Sequence, residues 1–117
     1  MKQEYIIGDV VMYNNKIMVI KEPRDEIHFD LSCPEKKLVY CCVRVEGIKP
    51  MPLTYEILEK NGWKWDGQDF VGACLLYPEG NYFVFDDFRT KIKYVHQLQH
   101  LLFGLGIDFD FNLWNSK

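Results

Sequence analysis

Two histidines four residues apart, His96 and His100, are the residues of this chain best spaced to do chemistry. On a helix, residues at i and i+4 share one face, so two imidazoles there could grip one metal ion. A zinc hydrolase needs a third ligand and a carboxylate base as well. Gln97 follows His96 where a His-Glu-x-x-His motif has Glu, and His28 is far away in sequence. A helical wheel also sets both histidines away from the leucines of the same segment. The simpler reading is a pair of surface histidines, with no metal and no cofactor.

Cys33, Cys41 and Cys42 with His28 form the other conceivable zinc set. Their spacing fits no zinc knuckle. Strand alternation would point the adjacent Cys41 and Cys42 to opposite faces, which opposes shared ligation. Small buried hydrophobes are the simpler reading. Asp86 with Asp87, and Asp108 with Asp110, could pair carboxylates for acid–base work. The first pair reads as a turn and the second as the solvent side of a strand. No Ser-His-Asp elbow, P-loop or Gly-x-Gly-x-x-Gly is present, so nucleophilic and nucleotide chemistry have no sequence basis. No catalytic residue is assigned.

Aromatic residues offer binding surface instead. Trp63, Trp65, Phe70, Tyr77, Tyr82, Phe83, Phe85 and Phe88 crowd one region. A sheet has two faces and one helix covers one of them, so Trp63, Trp65 and Tyr82 are candidates for a groove or an oligomer contact. Phe103 lies near His96 and His100 on the wheel, opposite the leucines. An apolar ring there suggests a second packed layer or a partner surface, and His96, His100 and Phe103 are the candidate binding face.

These residues need elements to position them. The 117 residues suit one domain, and 48% apolar residues argue against disorder. A formal net charge of -3 argues against generic nucleic-acid affinity. A basic patch would need Lys36, Lys37, Arg44, Arg89, Lys91 and Lys93 to cluster. The N-terminus has no apolar run and no window suits a membrane span. Four dispersed cysteines without Cys-x-x-Cys read as reduced thiols in a cytoplasmic protein.

Asp9 to Tyr13 and Lys16 to Lys21 read as two strands around Asn14-Asn15, a turn pair that tolerates positive φ. The hairpin resembles the opening of SH3-like small barrels. A loop from Glu22 to Glu26, a short strand at Ile27 to Leu31 and a turn at Cys33 to Lys37 follow. Leu38 to Val45 is the clearest strand, with Val39, Cys41, Val43 and Val45 on one side. Gly47 to Pro52 is a joint whose prolines end any ladder. Thr54 caps a two-turn helix that stops at Asn61-Gly62, with Leu53 and Leu58 as a hydrophobic staple. Gly62 to Trp65 and Asp69 to Tyr77 flank an Asp66-Gly67 turn, and Pro78 to Asn81 turns into a strand at Tyr82 to Phe85. Val95 to about Leu105 is a helix, with Val95, Leu98, Leu101, Leu102 and Leu105 spanning an arc of roughly 120°. Ile107 to Trp114 alternates like a half-buried strand.

Two segments resemble a family of small uncharacterised proteins of gut-bacterial genomes, prophages and mobile elements. One is Ile48-Lys49-Pro50-Met51-Pro52-Leu53-Thr54-Tyr55-Glu56-Ile57-Leu58 with Gly62-Trp63; the family typically has Ile-Pro-Leu-Thr, a helix, then Gly-Phe. The other is Lys93-Tyr94-Val95-His96-Gln97-Leu98-Gln99-His100-Leu101; the family typically reads Tyr-Val-His-x-Leu-Gln-Asn-Leu-Tyr there. His100 stands where Asn is usual, so the resemblance does not support a paired-histidine metal site. It covers about half the chain. It implies a β-rich fold closed by the second helix, and no activity. Mobile-element context implies a small accessory or host-interaction protein.

The expected architecture is α+β: one antiparallel β-rich domain over residues 1–117, with an SH3-like or partial-barrel β region at 1–50. A short central helix, a second sheet, a helix packed on the sheet and a terminal strand fill 51–117. The expected function is a non-enzymatic cytoplasmic binding or regulatory accessory protein that acts through a protein partner or self-association. The alternatives are a small metal-dependent hydrolase using His96 and His100, and an SH3-like nucleic-acid-binding module.

Overall fold

The structure, a computed structural model, describes residues 5–85 and 90–113. Expectations for Asp86, Asp87, Phe88, Arg89 and Trp114 fall outside them. The chain is α+β, with two antiparallel five-stranded sheets and two helices among the described residues. It divides into two compact units at Met51/Pro52, within the proline-rich joint.

The first unit holds β1 (Val10–Tyr13), β2 (Lys16–Pro23), β3 (His28–Cys33), β4 (Leu38–Arg44), a 3-10 turn (Val45–Gly47) and β5 (Lys49–Pro50), in the sheet order β4-β3-β2-β1-β5. Asn14 and Asn15 sit at φ 53° and 62°, the paired left-handed geometry a two-residue hairpin turn requires. Val11, Met18, Ile20 and Leu31 form the centre of its core, joined by Phe29, Cys33, Val43 and Ile48. The joint is more ordered than its prolines suggest. Lys49 and Pro50 pair with Met12 and Val11. A proline is tolerated there because β5 is an edge strand, with no further neighbour awaiting its N–H.

The second unit opens with α1 (Tyr55–Lys60). Thr54 Oγ1 accepts the Ile57 N–H at 3.2 Å, and Gly62 follows at φ 100°. Leu53 and Leu58 are both buried, as a staple requires. Five strands follow: β6 (Lys64–Trp65), β7 (Phe70–Val71), β8 (Leu75–Glu79), β9 (Tyr82–Phe85) and β10 (Thr90–Ile92), paired in sequence order. The single strand expected from Asp69 to Tyr77 is therefore two, broken at 72–74. Gly72 explains the break: a Cβ there would lie 2.6 Å from the Trp63 ring. The chain passes against an indole face that only glycine can approach.

The second helix, α2 (Val95–Gly104), begins where expected. Gln97 Oε1 accepts the N–H groups of Lys93 and Tyr94 at 2.7 and 3.0 Å. Val95, Leu98 and Leu102 are fully buried, whereas Leu101 is half-buried and Leu105 exposed. The expected terminal strand at Ile107 is absent among the described residues, although its burial alternates as anticipated. Asn61 stands in for a ladder partner: its side-chain amide donates to the Asn112 carbonyl at 3.0 Å, and its oxygen accepts the Asn112 N–H at 2.6 Å.

Candidate functional site

The expected surface histidine pair is half wrong. His96 is only 3% exposed, and His100 is partly buried. Burial on α2 is heaviest in its first turn, taking in His96 beside Val95, whereas Phe103 and Leu105 at its C-terminal end are exposed. The His96 ring stacks on Tyr94 with centroids 6.0 Å apart and meets His100 edge-on at 5.5 Å. Burial first, and the His100 charge second, lower the His96 pKa to about 4. A buried imidazole of that kind is a neutral packing group at neutral pH. Among the described residues, no group of three or more His, Cys, Asp or Glu is placed to hold a metal ion.

Trp63 also belongs to the interior. It is 1% exposed, stacks on Phe111 at 6.0 Å, meets Phe109 edge-on at 5.3 Å and donates its indole N–H to the Cys74 carbonyl at 2.8 Å. It lines no exposed groove. Trp65 is 45% exposed and leans on the buried Phe70 with centroids 4.9 Å apart. Tyr55 reaches the same Phe70 at 5.0 Å from α1 and is also exposed. Tyr82 is half-buried with the Lys91 ammonium 5.3 Å above its ring. Phe103 is 77% exposed, the most solvent-facing of the large apolar side chains among the described residues. Of the six candidates, His96 and His100 touch and are buried or partly buried, Trp63 is in the core, and Trp65, Tyr82 and Phe103 are at least partly exposed, on β6, β9 and α2.

The geometry that sequence reasoning did not anticipate lies in the first unit, around Asp30. Phe29 pairs with Val43 and Leu31 with Tyr40, so Asp30 faces two residues, Cys41 and Cys42. On the other side, Ile20 pairs with Leu31 and Glu22 with Asp30, leaving Lys21 as an extra residue. Asp30 is thus flanked by two β-bulges. Its carboxylate is buried and accepts from Arg24 Nε and Nη2 at 2.8 and 2.7 Å and from the Cys42 N–H at 2.9 Å. Arg24, and then that N–H, hold the Asp30 carboxyl below its ordinary pKa. Cys42 takes a left-handed backbone, φ 56°.

The bulge overturns the expected alternation of β4. Tyr40 and Val43 both pack on the core. Cys41 and Cys42, between them, are both exposed. The register sets both residues opposite Asp30, so strand alternation no longer assigns the two thiols to opposite faces. They border an open groove of about 610 Å³ that Tyr13, Tyr40, Arg44 and Glu46 also line. Tyr13 and Tyr40 meet edge-on at 5.9 Å, and Arg44 pairs with Glu46 at 3.1 Å. Cys33 is buried in the core, and His28 holds Asp25 at 2.9 Å. Neither joins the two exposed thiols as the conceived zinc set required.

Comparisons with protein-family models, with curated proteins and with solved structures find no match to this chain. Among the described residues, no helix is long and apolar enough to cross a membrane.

Some of what was missed left a trace in the sequence. Gln97 occupies the third helical position of α2, where a capping side chain belongs. Asp30 left none. A carboxylate in a strand is ordinarily read as solvent-facing, and the arginine that neutralises it lies in a loop six residues earlier.

Proposed function

We propose that this chain is a non-enzymatic binding or regulatory accessory protein, of phage or mobile-element type, that acts in the cytoplasm through protein contacts. The observation that carries the reading is Phe103. A phenylalanine 77% exposed on α2 leaves apolar area in water, and covering such a ring gains roughly 1.5–3 kcal/mol. The resemblance of the Pro-Leu-Thr and Tyr-Val-His segments to small mobile-element proteins supports the same reading. So does the first sheet. Its β1 lies between β2 and β5, and a 3-10 turn precedes β5, an arrangement similar to SH3-like barrels, which commonly serve as binding modules.

The nucleic-acid alternative has less support. Arg44 is paired with Glu46, while Lys91 and Lys93 lie over the Tyr82 and Tyr94 rings. The hydrolase alternative would have to use the buried His96. Replacing Phe103 with Ser tests the proposal. Sedimentation of the purified chain, and binding to any partner it acquires, should show weakened association at an unchanged melting temperature. A lowered melting temperature with association untouched would remove Phe103 as a contact and the proposal with it.

A further inference from the structure

We infer that Cys41 and Cys42 form a two-thiol chelate for a trivalent arsenical, that is, for a thiophilic centre carrying its own third substituent. The two cysteines belong to the first unit and Phe103 to the second, and neither reading depends on the other.

Three features support it. The first is facing. In a regular strand adjacent side chains point to opposite faces, and two neighbouring thiols cannot then close on one atom. Here the bulge opposite Asp30 puts Tyr40 and Val43 on the core side and leaves both cysteines exposed. The second is fixation. The Cys42 N–H is held by a carboxylate that Arg24 clamps from the other side, so the left-handed turn at Cys42 is built in. The third is access. Both cysteines are exposed, and both border the open groove.

The ligand class follows from the chemistry of the pair. Soft thiolate donors select soft centres. Structural zinc takes four ligands, and no third His, Cys, Asp or Glu is placed to join these two among the described residues. A disulfide between the two is also disfavoured. Consecutive Cα atoms are about 3.8 Å apart, short of the roughly 4.4–6.8 Å that disulfides ordinarily span. A three-coordinate arsenic atom needs two thiols and brings the third group itself. With phenylarsine oxide the reaction balances without redox change. The two As–O bonding positions are replaced by two As–S bonds, and both thiol protons leave with the oxygen as one water molecule.

The test uses phenylarsine oxide and the full chain under native conditions. Intact mass should show one adduct per chain with loss of two titratable thiols. The adduct should survive excess 2-mercaptoethanol and be removed by 2,3-dimercaptopropanol. Cys41→Ser and Cys42→Ser should each abolish the monothiol-resistant adduct, while Cys33→Ser and Cys74→Ser retain it. Because two adjacent cysteines in an unfolded chain also capture arsenic, the adduct must form with the circular dichroism of the native protein intact and without lowering its melting temperature. An adduct that forms only in denaturant, that lowers the melting temperature, or that persists in either Cys41→Ser or Cys42→Ser would overturn the inference.

Discussion

His96 shows how one side chain can carry a pH response without any catalytic part. Burial lowers its pKa to about 4 from an ordinary 6.5, so the folded protein resists the proton that the unfolded chain accepts. The stability contributed by keeping His96 neutral is full above pH 6.5 and is lost as pH falls from there toward 4. A shift of that size corresponds to about 3 kcal/mol at most. Chemical denaturation at pH 7 and at pH 4.5 should show the fall, and His96→Gln should flatten it. A wild-type profile flat across that window would mean that His96 titrates in the folded state as it does in water. The same scale explains the burial of Trp63, a candidate contact residue on sequence grounds. Aromatic type does not say which face a ring takes, and here the ring of Trp63 fills the space left by a missing side chain at Gly72.

Periodicity was a good guide to which stretches form elements and a poorer one to their orientation. The wheel of α2 predicts five buried positions. Val95, Leu98 and Leu102 are buried, but Leu101 is only partly so and Leu105 is exposed. Leu98→Ala should accordingly cost about 2–5 kcal/mol, and Leu101→Ala distinctly less. Equal losses in urea titrations would restore the original wheel. β4 fails differently. Its composition marks a strand correctly, yet a single unpaired residue reverses the facing of everything beyond it. The last stretch, from Ile107, has the alternation of a strand without a ladder, because Asn61 and the Trp63 ring hold it instead. Alternation reports which side is buried; it does not report what pairs with the backbone.

For the molecule as a whole, the four cysteines make a simple check. Cys33, Cys41, Cys42 and Cys74 are all unbridged, so thiol titration of denatured, unreduced protein should count four per chain, and reductant should leave the melting point unchanged. A count of two would establish a disulfide and overturn the reduced state, and one that includes Cys41 or Cys42 would overturn the two-thiol chelate as well. What the sequence by itself determined is the local grammar: the Asn14-Asn15 hairpin, the Thr54 cap, the Gly62 stop, the start of α2 and the joint before Pro52. Each depends on backbone preferences or hydrogen bonds spanning a few residues, and these act wherever the chain goes. The tertiary structure alone decided the burial of His96 and Trp63, the break at Gly72, and the double bulge that sets Cys41 and Cys42 together opposite Asp30. Those depend on contacts between residues well separated along the chain, Arg24 with Asp30 and Asp30 with Cys42 among them. No local pattern encodes them, because burial and register are settled only when strands meet.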